Sequence, residues 1–277
     1  YGSEAKTQIS CEGRVLSMDE RKSGLVSIVV PVYNAGQFLA ETISCVQAQT
    51  YRAWELLLVD DGSSDDSREI IRQRSAKDER VRLIIQEENS GAAGARNRGI
   101  QEARGQYLCF LDADDIWLPD KVETELAQIR TIQQTINPKA GFVFMGYEFA
   151  DVSGTGLGKV VHVPEQITYR QALKNTTIFT STVMIDRSII SDEDIYMPYI
   201  ASEDTATWWR LLKKYGAGYG IDKNLVKYRR SAMTLSSNKM TAVKRIWNLY
   251  RRQERLSVSE SVYCMFFWAF RAVFRRL

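Results

Sequence analysis

YLCFLDADDIWLPDK, residues 107–121, runs a short apolar segment straight into three carboxylates, Asp112, Asp114 and Asp115. Tyr107–Leu111 has the composition of a strand covered on both faces, as in a parallel sheet. Carboxylates this close repel one another unless a cation lies between them. The stretch therefore sets two expectations: a parallel sheet, and a charged site at the end of one strand.

Working outward, the same alternation recurs. Leu25–Val32 (LVSIVVPV) is another continuous apolar run, Trp54–Val59 (WELLLV) a second and Val81–Ile85 a third. Helical patterns follow each: 36–49, about 65–77, 91–104 and 120–135. Strand and helix in alternation predict an α/β fold, a mostly parallel sheet flanked by helices. Ligands of such sheets lie beyond the carboxyl ends of the strands. Four segments fall there: Pro31–Asn34, Asp60–Ser63, Glu88–Gly91 and Asp112–Asp115. After residue 137 the pattern is less regular. It predicts strands at 142–149 and 159–163, a helix over 168–175, a strand over 181–186 and a helix over 203–215. With no linker and no repeat, this half reads as fused to the first, closing the same cleft.

The chain has 277 residues, 44% of them hydrophobic, enough for a sizeable core. Its net charge of +3 is too small to point to nucleic acid, but it is unevenly spread. Residues 239–277 carry nine Lys/Arg and two Glu, while residues 1–238 hold 28 basic and 32 acidic side chains. Four scattered cysteines without a C-x-x-C pair read as reduced thiols of a cytoplasmic protein. A single histidine, His162, argues against a zinc site or a histidine-based triad. No apolar run reaches the roughly 18 residues of a membrane span. Residues 1–24 are polar and read as a disordered leader outside the fold.

An isolated D-x-D is more often a solvated turn than a site. Here it ends a buried strand at the ligand edge. Oxygen donors without histidine or cysteine suit Mg²⁺ or Mn²⁺, held by one or two carboxylates together with substrate phosphates. Asp60-Asp61 reads either as a capped turn or as an acceptor for a base or ribose. Gly91-Ala-Ala-Gly94 lacks both the dinucleotide fingerprint and the P-loop lysine; its small residues permit close approach of a ligand. Arg96 beyond it reads equally as a surface arginine or a nucleotide contact. Glu203-Asp204 reads as an acidic helix start or as a base at the cleft mouth.

Four stretches in order carry a resemblance: VSIVVPVYNAGQFLAETISCVQAQTYRAWELLLVDDGSSDDS (26–67), NSGAAGARNRGI (89–100), YLCFLDADDIWLPDK (107–121) and SEDTATWWRLLKKYG (202–216). Together they resemble the family-2 glycosyltransferases, strongly over residues 25–135 and fairly to about 230. The resemblance implies the GT-A fold, Rossmann-like, and an inverting, metal-dependent transfer of one sugar from a nucleotide-sugar, usually a uridine diphosphate sugar. It implies that Pro31, Tyr33 and Asn34 lie at the nucleoside, Asp61 at the base and Arg96 at the nucleotide. Asp112 belongs near the ribose and metal, Asp114 on the metal itself, and Asp204 is the general base. Asp115 and Glu203 are further candidates at the acceptor or diphosphate. One position departs from the family: Ser231 stands where a histidine is common. The resemblance leaves Arg229 or Arg230 to supply that charge. The Q-x-x-R-W of processive members is missing too, so one sugar is expected per encounter.

These features divide the chain into a catalytic domain over 25–238 and a basic, amphipathic helical tail over 239–277. The domain has a nucleotide-binding half (25–135) and an acceptor-binding half (136–238). The tail reads as a peripheral contact with an anionic membrane through 244–277, where lipid-linked acceptors reside, or as a helix that caps the domain or builds an oligomer. Two rivals stand beside the transferase. A sugar nucleotidyltransferase needs a Gly-rich basic loop where this chain has PVYNAGQF. A nucleotide-binding pseudo-enzyme or scaffold would not turn over.

Overall fold

The computed structural model describes residues 21–175, 177–230 and 239–274. In chain order the elements are β1 (Lys22–Val32), α1 (Gly36–Gln47), β2 (Trp54–Asp60), α2 (Ser67–Ser75), β3 (Val81–Ile85), α3 (Gly91–Glu102), β4 (Gly105–Phe110), β5 (Ile116–Trp117) and α4 (Lys121–Thr135). There follow β6 (Phe142–Ala150), β7 (Gly156–Val161), β8 (Gln166–Thr168), α5 (Tyr169–Ala172), a 3₁₀ turn (Thr180–Thr182), β9 (Val183–Asp186), α6 (Asp192–Ile195), α7 (Glu203–Tyr215) and β10 (Ala217–Arg229). The tail is α8 (Lys239–Asn248), a π turn (Leu249–Gln253) and α9 (Val258–Phe274).

One sheet runs in the order β3-β2-β1-β4-β9-β6-β10-β5, with β7 beside β6 and β8 beside β10. Strands β3, β2, β1 and β4 are parallel, as their unbroken apolar runs predict. Beyond them β9 is antiparallel to both β4 and β6, so the sheet as a whole is mixed. Along β1, Val26, Ile28, Val30 and Val32 face one core layer with Leu39 and Ile43 of α1 and Leu126 and Ile129 of α4. Val29 faces the other, with Ile100 of α3, Trp208 of α7 and Tyr250. Packing on both sides is what lets β1 carry no polar face.

One expectation is corrected, and one strand is unexpected. Strand β1 begins at Lys22, before residue 25. Gly24, at φ +74°, shifts the register between Lys22 and Val26 so that Lys22 still pairs with Gly105. The polar sequence KSG hides this extension. Strand β10 follows from no apolar run: exposed Asp222 and Lys223 interrupt it, and it slips register against β6 twice.

The tail docks through one face only. Ile246, Leu249, Tyr250 and Cys264 are buried, and Tyr250 stacks on Trp209 with ring centroids 5.4 Å apart. On α9, Val258, Val262, Tyr263, Phe266 and Phe270 remain exposed. Among the described residues, no helix is long and apolar enough to cross a membrane.

Candidate active site

A cavity of about 530 Å³ opens at the carboxyl ends of β1, β2 and β4. Pro31, Tyr33, Asn34, Asp61, Arg96, Asp112 and Asp114 all line it, joined by Phe38 and the small Ala92 and Ala95 of α3. The strand-end rule thus brings together residues from four separate segments. His162 lies elsewhere, exposed and 3.0 Å from Asp222.

The β1 and β2 ends are cross-braced. Asn34 sits at φ +48°, a left-handed turn that Asn tolerates, and its Oδ1 accepts from the Ser64 N–H at 2.9 Å. Asp61 is buried and works as a hub. Its Oδ1 accepts from Gln86 Nε2 at 2.6 Å and from the Ser90 N–H at 2.8 Å, and its Oδ2 accepts from the Gly91 N–H at 2.8 Å. A carboxylate has about four acceptor positions, so Oδ2 keeps room for a further donor from the cavity. Asp60 points elsewhere, paired with Arg68 at 2.5 Å.

The three carboxylates after β4 have three different environments. Asp112 Oδ1 accepts from Arg96 Nη2 at 2.7 Å. Asp115 is wholly buried: Ser181 Oγ donates to it at 2.5 Å and the Arg229 N–H at 3.1 Å. Asp115 therefore does not line the cavity, unlike the expectation of an acceptor or diphosphate contact. It anchors the loop, because a carboxylate sealed from the cavity can only hold its donors in place. Asp114 is half-buried and lines the cavity. Burial first, and then the charge of Asp112, push its carboxyl up to about 6. A carboxylate so disfavoured gains most from a cation brought into the cavity.

Arg96 is the cation already present. It is buried at the cavity wall, with Nη1 donating to Glu203 Oε1 at 2.8 Å and Nη2 to Asp112. Burial opposes its charge, but Asp112 and Glu203 outweigh burial and hold its pKa above the ordinary value. This fork ties the end of β4 to the start of α7. Ser202, just before α7, is left-handed at φ +62°, a strained conformation for serine, and Glu203 beside it lines a groove that also reaches Ala92. Burial and the adjacent Asp204 raise the Glu203 pKa. Asp204 is half-buried; its Oδ2 accepts from Thr180 Oγ1 at 3.0 Å and its Oδ1 from the Thr205 N–H at 2.6 Å.

Thr180 and Ser181 escaped the sequence reading. Ser181 Oγ accepts from the Asp112 N–H at 3.1 Å while donating to Asp115. One hydroxyl thus fixes both ends of the DADD turn. Only the tight 3₁₀ turn entering β9 aims it there, and no spacing in the sequence signals that. Arg229 is also corrected. Its guanidinium is buried, donating to the Asp114 carbonyl at 2.9 Å and to Glu41, and it stacks 4.9 Å over Phe38. It braces the wall from behind and does not face the cavity. Arg230 is exposed above Phe149. Ser231 lies outside the described residues.

The donor set fits a hard divalent ion. Among the described residues no cluster of three or more His, Cys, Asp or Glu could enclose a metal. With Asp112 engaged by Arg96 and Asp115 sealed, Asp114 is the carboxylate left to face the cavity. One or two carboxylates completed by substrate phosphates is the usual arrangement for Mg²⁺.

The family model "Glycosyl transferase family 2" matches residues 27–183. A Bacillus subtilis (strain 168) protein named as a teichuronic acid biosynthesis glycosyltransferase, TuaG, is 42% identical over 254 residues, 91% of this chain and 98% of its own. The Escherichia coli UDP-Glc:alpha-D-GlcNAc-diphosphoundecaprenol beta-1,3-glucosyltransferase WfgD is 37% identical over 227 residues, 81% of this chain and 85% of its own. Among solved structures, S. aureus TarS 1-349 in complex with UDP-GlcNAc superposes with a TM-score of 0.64 at 18% identity, covering 88% of this chain and 71% of that one. The mannosyltransferase PcManGT from Pyrobaculum calidifontis, in complex with GDP-Man and Mn2+, gives 0.62 at 16% identity, over 88% and 69%. At those identities the two structures speak for the fold.

Proposed function

The chain belongs to glycosyl transferase family 2 and is a glycosyltransferase; from that premise we propose a metal-dependent, inverting transfer of one sugar from a uridine diphosphate sugar to a hydroxyl of a lipid-linked saccharide, in surface polysaccharide synthesis. The observation that carries the reading is the gathering of Pro31, Tyr33, Asn34, Asp61, Arg96, Asp112 and Asp114 around one cavity, with Asp204 next to Glu203, which Arg96 ties to the cavity wall. The relative WfgD supports both the uridine donor and the diphosphate-linked acceptor through its named reaction.

In this reading Tyr33, Pro31 and Asn34 bound the nucleoside, and Asp61 Oδ2 takes a hydrogen bond from the base. Asp114, with Asp112 beside it, would hold Mn²⁺ or Mg²⁺, which neutralises charge on the leaving diphosphate. Arg96 keeps Asp112 oriented and adds positive charge at the nucleotide. Asp204 accepts the proton of the attacking hydroxyl from the face opposite the leaving group, as inversion in one displacement requires. Thr180 and the Thr205 N–H hold that carboxylate in place. The catalytic unit then runs from β1 through residue 238, with 239–277 as a separate tail.

The tail supports a second part of the proposal. The exposed stripe of α9 carries aromatic side chains and ends at Arg271, the composition of a helix lying on an anionic membrane surface at the cytoplasmic face. Flotation with anionic liposomes is expected for the wild type and lost in a Phe266→Ser/Phe270→Ser double variant; equal flotation of both removes this part. The transferase reading is tested with a panel of nucleotide-sugars and Mn²⁺ in thermal melts. A uridine sugar should raise Tm most, through ligand binding to the folded state. A panel without any stabilising member would overturn it.

A further inference from the structure

We propose that the groove between the 199–202 loop and α8 binds the diphosphate of the acceptor, with Arg245 and Arg252 as the anion-holding pair. The inference rests on the transferase reading and assigns the acceptor side of that site. A groove of about 440 Å³ begins at Ala92, which also lines the donor cavity, passes Ser202 and Glu203, and ends at Arg245. A cavity of about 260 Å³ continues from Arg245 and Ile200 to Asn248 and Arg252. The donor cavity, the acidic start of α7 and the two arginines therefore lie along one path.

The two arginines differ from those in and behind the wall of the donor cavity. Arg96 is committed to Asp112 and Glu203, and Arg229 to Glu41. Neither Arg245 nor Arg252 has a hydrogen bond or ion pair among the described residues. The acids of the tail are engaged elsewhere: Glu254 accepts from Tyr169 at 2.5 Å and Glu260 from Ser257 at 2.8 Å. Two planar guanidinium forks sharing one cavity suit a diphosphate, whose oxygens they can meet in pairs. Asn248 and Gln253 add amide donors, and Ile200 and Leu249 give apolar walls for the sugar and first lipid carbons. With the diphosphate at this pair, the acceptor sugar extends back along the groove toward Glu203 and Asp204, and its hydroxyl meets the base.

The test titrates decyl diphosphate and inorganic pyrophosphate into protein saturated with UDP and Mn²⁺, which fill the donor cavity. The wild type should bind decyl diphosphate, and more tightly than pyrophosphate. An Arg245→Ala/Arg252→Ala double variant should lose at least about tenfold in affinity for decyl diphosphate while its UDP affinity stays unchanged, which also shows that it folds. Equal affinity in wild type and double variant overturns the assignment, as does displacement of decyl diphosphate by UDP. Pyrophosphate binding the tighter of the two overturns the lipid-linked source. Failure of the transferase reading would show separately, as an inability of UDP to bind; decyl diphosphate titrated into the free protein then still reads the arginine pair.

Discussion

The two halves of the sheet contribute to the cleft in different ways. Strands β1, β2 and β4 present their carboxyl ends, so whole turns of backbone and side chain meet the donor cavity together. Elements after residue 137 reach back as single residues: Ser181 from the turn before β9, Arg229 from the end of β10, Glu203 from the start of α7. The first half makes a shape by topology. The second half sets that shape by individual hydrogen bonds, and those bonds can be cut one at a time.

Arg96→Ala cuts the strongest tie. It leaves Asp112 and Glu203 mostly buried without their cation, and breaking such a pair costs about 3–5 kcal/mol. Chemical denaturation should show this loss, with Arg96→Lys recovering part of it. An unchanged midpoint would mean that the Arg96 fork does not help to hold the halves together. Ser181→Ala should be milder. It removes one donor from buried Asp115 and the acceptor of the Asp112 N–H, costing about 1–3 kcal/mol. UDP affinity should fall with it, since the DADD turn loosens; stability loss with unaltered affinity would confine Ser181 to folding.

An effect of another kind, on the pH dependence of stability, lies in the first half, away from the cavity. Glu125 is fully buried, 2.6 Å from Lys121, and burial pushes its carboxyl up to about 7 from 4.5. The folded state then keeps this proton up to about pH 7, while the unfolded chain releases it near 4.5. Unfolding free energy therefore declines as pH rises through that window. Glu125→Gln stays neutral and should flatten the decline, read from urea midpoints at about pH 5 and about pH 8. A parallel decline in the variant would assign the slope to other groups.

The same contrast explains what could be read from the sequence. β1, β2 and β4 hold apolar runs that lead into Pro31–Asn34, Asp60–Asp61 and Asp112–Asp115, so fold and cavity follow from periodicity and the strand-end rule. β10 is interrupted by Asp222 and Lys223 and bulges twice, and its pattern has no clean period. Asp115 and Asp114 are neighbours of identical chemistry; only the inward turn of one toward Ser181 separates anchor from candidate ligand. Arg96 was found as a residue, but its role as the link to Glu203 spans 107 positions, which no local pattern encodes.

Donor binding on one side of the cleft and proton removal on the other is the central claim. UDP titrated with and without Mn²⁺ into Asp114→Ala and Asp204→Asn, beside a turnover assay, tests it directly. Asp114→Ala should lose the metal-dependent part of UDP affinity. Asp204→Asn should bind UDP as the wild type does while turnover falls by about 10²–10⁴-fold, the size of a lost general base. Asp204→Asn with undiminished turnover, or Asp114→Ala with unchanged metal-dependent affinity, would contradict the account.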